Sequence, residues 1–352
     1  MFALNPKALL ALSSLALGGA LLVSGCGGGG GGATTPTATS GPTATPTTPG
    51  VVFSDEFNSG SLNSSKWSTL DRTHVIQRTE FGNNATFGSD SDGTKFMRVN
   101  LDTFLPDDAA RAEGKVQFYG TEIAGKTLIP RGNGVRFQAR MRVGTPGRTG
   151  MVGSFFMFGQ KGTYGGEPKL SYDEIDHELL TKAFAATPPY TWTNCYNDFR
   201  VPQPGLEGGD SYADETKNLG LAENYSTGYD SAGWNVYRID WKPGQVEWFI
   251  NDQLIRTDTS GRVPDDALAV RFNLWAAATQ ANGGWEAAAD AAFTPAATAA
   301  ENKTYSLDVD WVRVSGLNST MTAAVSSRLQ TLSDTQLMRG LSGPGYRSSK
   351  KR

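Results

Sequence analysis

The chain has 352 residues, 38% of them hydrophobic and 19% charged, with a formal net charge of −3. That length suits one large domain or two small ones, and the near-neutral balance excludes an extended basic surface for nucleic acid. Two His and two Cys exclude a clustered Cys/His zinc centre, and 42 Gly fit a turn-rich β protein.

Met1 to Gly25 reads as a secretory signal, with Lys7 followed by the apolar run Ala8 to Val23. The run is too short and too Gly-rich for a comfortable transmembrane span. It ends in Val23-Ser24-Gly25-Cys26, which resembles a bacterial lipobox and implies cleavage before Cys26 with lipid on its sulfur. An ordinary signal peptide that ends near a cysteine is the alternative. If Cys26 is lipidated, Cys195 has no intramolecular partner and no internal disulfide forms. After Cys26, from Gly27 to Gly50, the chain is six glycines followed by Thr/Pro/Ala repeats, so 26–50 is read as one segment. Such a stretch cannot bury apolar surface and is expected to be a solvated tether.

Folded sequence begins near Val51. Short runs with period-2 alternation follow, separated by Gly, Pro, Asn and Asp clusters: Lys95–Leu101, Val135–Val143, Trp234–Trp241, Val246–Ile250, Leu268–Leu274 and Leu307–Val314. There is no sustained helical periodicity and no repeat, so one all-β sandwich over Val51–Ser315 is predicted. The segment Thr187–Tyr229 is long for a strand connection. The tail Gly316–Arg352 is Ser/Thr-rich and ends in Lys350-Lys351-Arg352; little order is expected there beyond a short helix within Thr320–Leu341.

The chemistry concentrates in Tyr172–Leu180, which reads YDEIDHELL. In a strand, Glu174, Asp176 and Glu178 share one face, with Ile175 and His177 on the other. Carboxylates this close oppose one another's ionisation, which a purely structural strand avoids. Retaining glycoside hydrolysis needs a carboxylate nucleophile and a carboxylic acid about 5 Å apart. The Cα atoms of Glu174 and Glu178 lie roughly 13 Å apart at about 3.3 Å per residue, a gap that side chains leaning across Asp176 can largely close. The competing reading is an exposed edge strand with solvated charge. His177 alternates to the opposite face, where a buried, hydrogen-bonded core histidine is expected.

The set Asp55–Trp67, Val135–Arg142, Gly150–Gly159, the acidic stretch, NCYNDF, Trp234–Ile255, Arg271–Trp275 and Asp308–Val314 resembles glycoside hydrolase family 16, the jelly-roll β-glucanases. The resemblance runs along most of Val51–Ser315. It implies a concanavalin-like β-jelly-roll sandwich of two antiparallel sheets. Carried over by position, Glu174 matches the nucleophile, Glu178 the general acid/base, and Asp176 the aspartate that tunes them. One residue separates Asp176 from Glu178, similar to the unbulged motif of lichenase-like and xyloglucan-active members. The resemblance also implies sugar contacts from Asn194, Tyr196, Trp275 and Trp285, and a cleft arginine at Arg140. Core packing is the alternative for both tryptophans. Cys195, flanked by Asn194 and Tyr196, is expected to point away from them as a small hydrophobe. Asp310 matches the side-chain ligand of a structural calcium found in some members.

The function implied is a secreted, lipid-anchored, endo-acting hydrolase of β-1,3-1,4- or β-1,3-glucan that works with retention through a glycosyl-enzyme intermediate. No cofactor is required for that chemistry, a structural calcium aside. Two rivals are a transglycosylase on β-glucan or xyloglucan, and a non-catalytic carbohydrate-binding protein on the same fold. The expected partners are a polysaccharide and, through Cys26, a membrane of the bacterial cell envelope, with no nucleic acid; the protein is expected to be a monomer.

Overall fold

A computed structural model of the chain describes residues 50–70, 75–145, 148–161, 171–181, 193–201, 216–221, 230–259, 263–279 and 288–339. They belong to a compact unit, Thr47–Arg352. The signal, the tether and Cys26 lie outside the described residues. No helix among the described residues is long and apolar enough to cross a membrane.

The longer strands are β1 (Val51–Asp55), β2 (Lys95–Asp102), β3 (Phe118–Gly125), β4 (Val135–Val143), β5 (Met151–Lys161), β6 (Ser171–Leu180) and β7 (Thr193–Val201). They continue with β8 (Thr216–Leu221), β9 (Asn235–Lys242), β10 (Gln245–Ile250), β11 (Gln253–Asp258), β12 (Ala269–Ala276) and β13 (Thr304–Gly316). All six alternating runs of the sequence fall on strands. The short helix α1 (Asp108–Glu113) starts at Asp107, whose side chain accepts the Ala110 N–H.

The strands form two antiparallel sheets. In one, β11, β10, β9, β4 and β13 are neighbours in that order, and the far side of β13 pairs with β2 and then β1. In the other the order is β8, β7, β6, β5, β12, β3. The alternation in β4 shows why they stack. Val135, Phe137, Ala139, Met141 and Val143 are buried, while Arg136, Gln138, Arg140 and Arg142 are half-exposed. One face of the strand therefore belongs to a core and the other to the outside. Phe137, Met141, Ile239 and Trp248 from this sheet meet Phe155, Ile175, Leu179 and Phe272 from the sheet of β6. Phe155 and Phe272 stack with ring centroids 5.4 Å apart. Each fully buried side chain of this kind contributes about 1.5–3 kcal/mol, and this shared core is what holds the sheets together.

Two expectations about loops need correction. Thr187–Tyr229 contains β7 and β8, which extend the sheet of β6 at its edge. The tail is also part of the fold to at least Arg339, so the domain does not end at Ser315. Helix α2 (Ser319–Ser326) begins at Asn318, whose side chain accepts the Met321 N–H. It places Val325, 1% exposed, in the main core. The chain enters it tightly: a Cβ on Gly316 would sit 2.2 Å from the Thr322 backbone nitrogen, and the Gly316 N–H is accepted by Thr322 Oγ1 at 3.0 Å. Gln330–Thr331 then pairs with Thr127–Leu128. Helix α3 (Asp334–Arg339) buries Leu337, and Asp334 meets Lys126 at 2.8 Å. The Ser/Thr-rich composition conceals these apolar anchors. Residues 340–352 lie outside the described set.

Candidate functional site

Strand β6 has β5 on one side and β7 on the other, so it is an internal strand. Glu174, Asp176 and Glu178 are each at most 1% exposed. Both facts rule out an edge strand with solvated charge. Ile175 and Leu179 lie in the core between the sheets, so the three acids occupy the opposite face, as alternation requires.

Residues opposite each other in an antiparallel register share a face, which allows that face to be drawn row by row. Glu174 faces Phe158, which faces Ala269. Asp176 faces Phe156, and Phe156 faces Arg271. Glu178 faces Ser154, Ser154 faces Asn273, and Asn273 faces Glu122 on β3. Leu180 faces Val152, which faces Trp275. The acids thus look along two polar rows and are bounded by aromatic rings.

Charge on this face is ordered. Arg271 Nη1 lies 3.0 Å from Glu122 Oε1, both side chains at most 4% exposed. Asn273 Nδ2 donates to the other oxygen of Glu122 at 3.1 Å. The Arg271 guanidinium also lies over the Phe158 ring, 4.6 Å from its centroid. A buried pair of this kind is held by geometry and further hydrogen bonds rather than by attraction alone. Ser154 Oγ, Asn273 Oδ1 and Arg271 Nε are buried without a hydrogen-bond partner among the described residues. Aromatic rings beside such donors and acceptors have the chemistry a pyranose ring engages, and here each of these residues is at most 3% exposed.

Behind β6, polar groups reach it from the other sheet. Trp248 Nε1 donates to the backbone oxygen of Asp176 at 2.9 Å. His177 is fully buried, its Nε2 lies 3.4 Å from the Arg238 carbonyl oxygen, and its ring meets Tyr237 edge to face at 5.4 Å. Burial pushes its pKa down to about 3, against the raising effect of backbone bonds to Arg238 and Phe249. It is the neutral core histidine expected from the alternation.

The expected sugar contacts divide. Trp275 lies on the acid face but is fully buried, packed with Phe156, Val152 and Leu180. Asn194 and Tyr196 lie opposite Leu179 and His177 in the register, whereas Cys195 and Asn197 lie opposite Glu178 and Asp176. The register positions opposite the acids are therefore not the two expected on β7, whose side chains are outside the described set. Trp285 also lies outside the described residues.

Arg140 is a correction. It sits on the outward face of β4, in the other sheet, bonded to Asp310 and lying over the Trp234 ring at 5.1 Å. The apolar residues alternating with it own the core side, so Arg140 cannot reach the acids. Among the described residues the buried arginine on the acid face is Arg271. Asp310 is held by Arg140; burial raises its pKa and that arginine's hydrogen bond and charge lower it. Among the described residues the group of acids close enough to share a cation is Asp173, Asp265 and Asp266, away from Asp310. There Asp173 Oδ2 accepts the N–H groups of Asp265 and Asp266 at 2.8 Å each.

Glu122, Ser154, Arg271 and Asn273 were not singled out from sequence. The parity of Arg271, Asn273 and Trp275 in RFNLW places them on one face and was a usable signal; nothing in the sequence around Glu122 or Ser154 marks them.

Comparison with known proteins supplies the family. The model of glycosyl hydrolases family 16 matches residues 117–292, half of the chain. A beta-glucanase of Bacillus amyloliquefaciens is 29% identical over 128 residues, 36% of this chain and 42% of that protein. A keratan-sulfate endo-1,4-beta-galactosidase of Sphingobacterium multivorum is 25% identical over 270 residues, 75% of this chain and 54% of that protein. The chain thus spans about two fifths of the beta-glucanase and about half of the galactosidase. The fold is similar to that of the Bacillus licheniformis beta-glucanase, with a TM-score of 0.50 at 20% identity over 76% of this chain and 99% of that one. It is equally similar to LamAcat from Zobellia galactanivorans, with a TM-score of 0.51 at 17% identity over 76% and 97%. With the jelly-roll sheets and the acid strand at their centre, the matched span places this chain in glycosyl hydrolases family 16.

Proposed function

We propose that the protein is an endo-acting glycoside hydrolase that cleaves β-1,3-1,4- or β-1,3-glucan with retention. The observation that carries this reading is the row Glu174, Asp176, Glu178 on one buried face of an internal strand. Glu174, as carboxylate, attacks the anomeric carbon while Glu178, as carboxylic acid, gives its proton to the departing glycosidic oxygen. A glycosyl ester on Glu174 results. Glu178, now ionised, takes a proton from water, whose oxygen displaces Glu174 and restores both groups. Asp176 lies between them in the strand, on the same face, where its charge bears on both. Ser154, Arg271 and Asn273 offer polar atoms to sugar hydroxyls, and Phe156 and Phe158 flank the acids with apolar rings. The chemistry calls for no cofactor. Handing the intermediate to a sugar hydroxyl instead of water would make the same site a transglycosylase.

A galactan is a second reading of the substrate, favoured because the match to the galactosidase is longer than those to the beta-glucanases. Digestion of mixed-linkage β-glucan, laminarin, xyloglucan, agarose and keratan sulfate decides between them by product sizes; β-glucan is expected to be cut fastest. In the cell the enzyme is proposed to be exported and tethered to the envelope through lipid on Cys26, and Cys26→Ser is expected to move it out of the membrane fraction.

The roles are tested with an activated β-glycoside and azide. Glu174→Ala is expected to yield the α-glycosyl azide, since azide attacks once from the vacated side. Glu178→Ala is expected to yield the β-glycosyl azide after two inversions, and to accumulate the intermediate without azide. Opposite products would exchange the roles, and unaffected turnover in both variants would end the enzyme reading.

A further inference from the structure

Most contacts across the core between the sheets are apolar and therefore non-directional: side chains can slide by a fraction of an ångström at little cost. Hydrogen bonds are not so tolerant. At the acid strand two polar contacts cross that core at consecutive residues. The Trp248 indole N–H reaches the Asp176 backbone oxygen at 2.9 Å, and the His177 imidazole reaches the Arg238 carbonyl at 3.4 Å. Both end on the hairpin of β9 and β10, where Arg238 and Phe249 face each other and Trp248 is the next residue. Trp248, His177 and Tyr237, which packs on the imidazole, are all fully buried. A backbone carbonyl has two lone pairs, so Asp176 can accept the indole N–H in addition to a ladder bond. The peptide fixed this way is the midpoint between Glu174 and Glu178.

We propose that Trp248 is a positioning residue for the reaction: its indole N–H, with His177 beside it, fixes the Asp176 peptide against the opposite sheet and so sets how Glu174 and Glu178 converge. This rests on the reading of those two glutamates as the reacting pair. Their side chains must close a Cα gap of roughly 13 Å to about 5 Å between carboxyl groups, so the local twist of β6 at Asp176 decides whether they meet. Misplacement of reacting groups by an ångström costs about 100-fold.

The sheet contains a matched control. Trp241, also fully buried and on β9, donates its indole N–H to the Pro264 oxygen at 2.8 Å, on a segment that meets the acid strand only at its Asp173 end and not at Asp176. Trp248→Phe and Trp241→Phe each remove one buried indole hydrogen bond and leave an aromatic ring. Both are expected to lower the melting temperature to a similar extent. Trp248→Phe alone is expected to lower kcat on β-glucan by about 10–100-fold with KM unchanged within about twofold. Trp241→Phe is expected to keep kcat within about threefold. Amide NMR shifts of residues 174–178 read the strand without substrate and are expected to move in Trp248→Phe but not in Trp241→Phe. If Trp248→Phe does not fold at the assay temperature, His177→Phe takes its place with a smaller expected loss in kcat. Equal kcat and unmoved 174–178 shifts in the variant and the control would overturn the inference and leave the function standing. A wild type inactive on every glycan, with the shifts still moving in Trp248→Phe alone, would overturn the function and leave the strand contact.

Discussion

On the outward face of the sheet of β4, acids and arginines from different strands interleave. Asp308, fully buried, accepts from Arg98 at 2.7 and 3.1 Å and from Arg142 at 3.1 Å. Asp240 accepts twice from Arg136 at 2.7 Å, and Asp90 accepts twice from Arg142 at 2.8 Å and from Trp234 at 3.0 Å. Burial alone would push Asp90 upward, yet the hydrogen bonds and charge of Arg142 hold it below the ordinary carboxylate range. Rings of Trp234 and Phe96 sandwich Arg142 at 4.3 and 4.9 Å. On the acid face of the other sheet three carboxylates instead crowd onto a single strand, and among the described residues an ion pair on neighbouring strands joins Arg271 to Glu122. Distributing charge across strands serves stability; concentrating like charge along one strand is what active sites tolerate and a purely structural surface disperses, in keeping with the proposed role of the acid row.

Four experiments test that contrast, the largest effect first. Glu174→Gln is expected to cut kcat by on the order of 10⁴–10⁶-fold, with a melting temperature within a few degrees of wild type. A comparable fall in stability would make the acid row structural. Ending the chain at Ser315 removes Val325 and Leu337 from their buried sites. At about 1.5–3 kcal/mol for each and about 2–4 °C per kcal/mol, the melting temperature is expected to fall by roughly 10–20 °C. An unchanged transition would return the boundary to Ser315. Asp308→Asn leaves Arg98 and Arg142 without their shared carboxylate and is expected to cost about 3 kcal/mol in denaturant unfolding. Activity per folded molecule should be preserved, the reverse of Glu174→Gln.

The smallest effect is a pH slope. His177 is held neutral down to about pH 3 in the fold and takes a proton near pH 6.5 once unfolded. Between those values the unfolded chain binds the extra proton, so stability is fully present above pH 6.5 and is lost as the pH falls. The expected slope rises from about 0.7 kcal/mol per pH unit at pH 6.5 towards about 1.4 near pH 5, a range where few carboxylates titrate. His177→Phe should remove it; an identical slope in both proteins would mean that the imidazole is charged in the fold.

Alternation was the most legible signal. VRFQARMRV and YDEIDHELL each announce which residues turn inward, and the strands lie where those patterns stand. The same parity was enough to place Arg140 outside, since Ala139 and Met141 beside it are core residues; positional likeness to relatives pointed the other way and was wrong. Glu122 was not legible, because its role depends on Arg271 and Asn273 arriving beside it from a strand far along the chain. The tail was hidden for a different reason: one buried valine and one buried leucine fix a segment whose average composition reads as solvated.

Strand β13 has a consequence for synthesis. It pairs with β4 along one edge and with β2 and β1 along the other, so the first strand waits for a partner that is translated near the end. Until Gly316 has left the ribosome, β1, β2 and β4 each carry an edge without its native neighbour. Long-range pairing of this sort folds slowly and leaves open strand edges prone to aggregate. The three open edges therefore close together, and late, when β13 arrives between them.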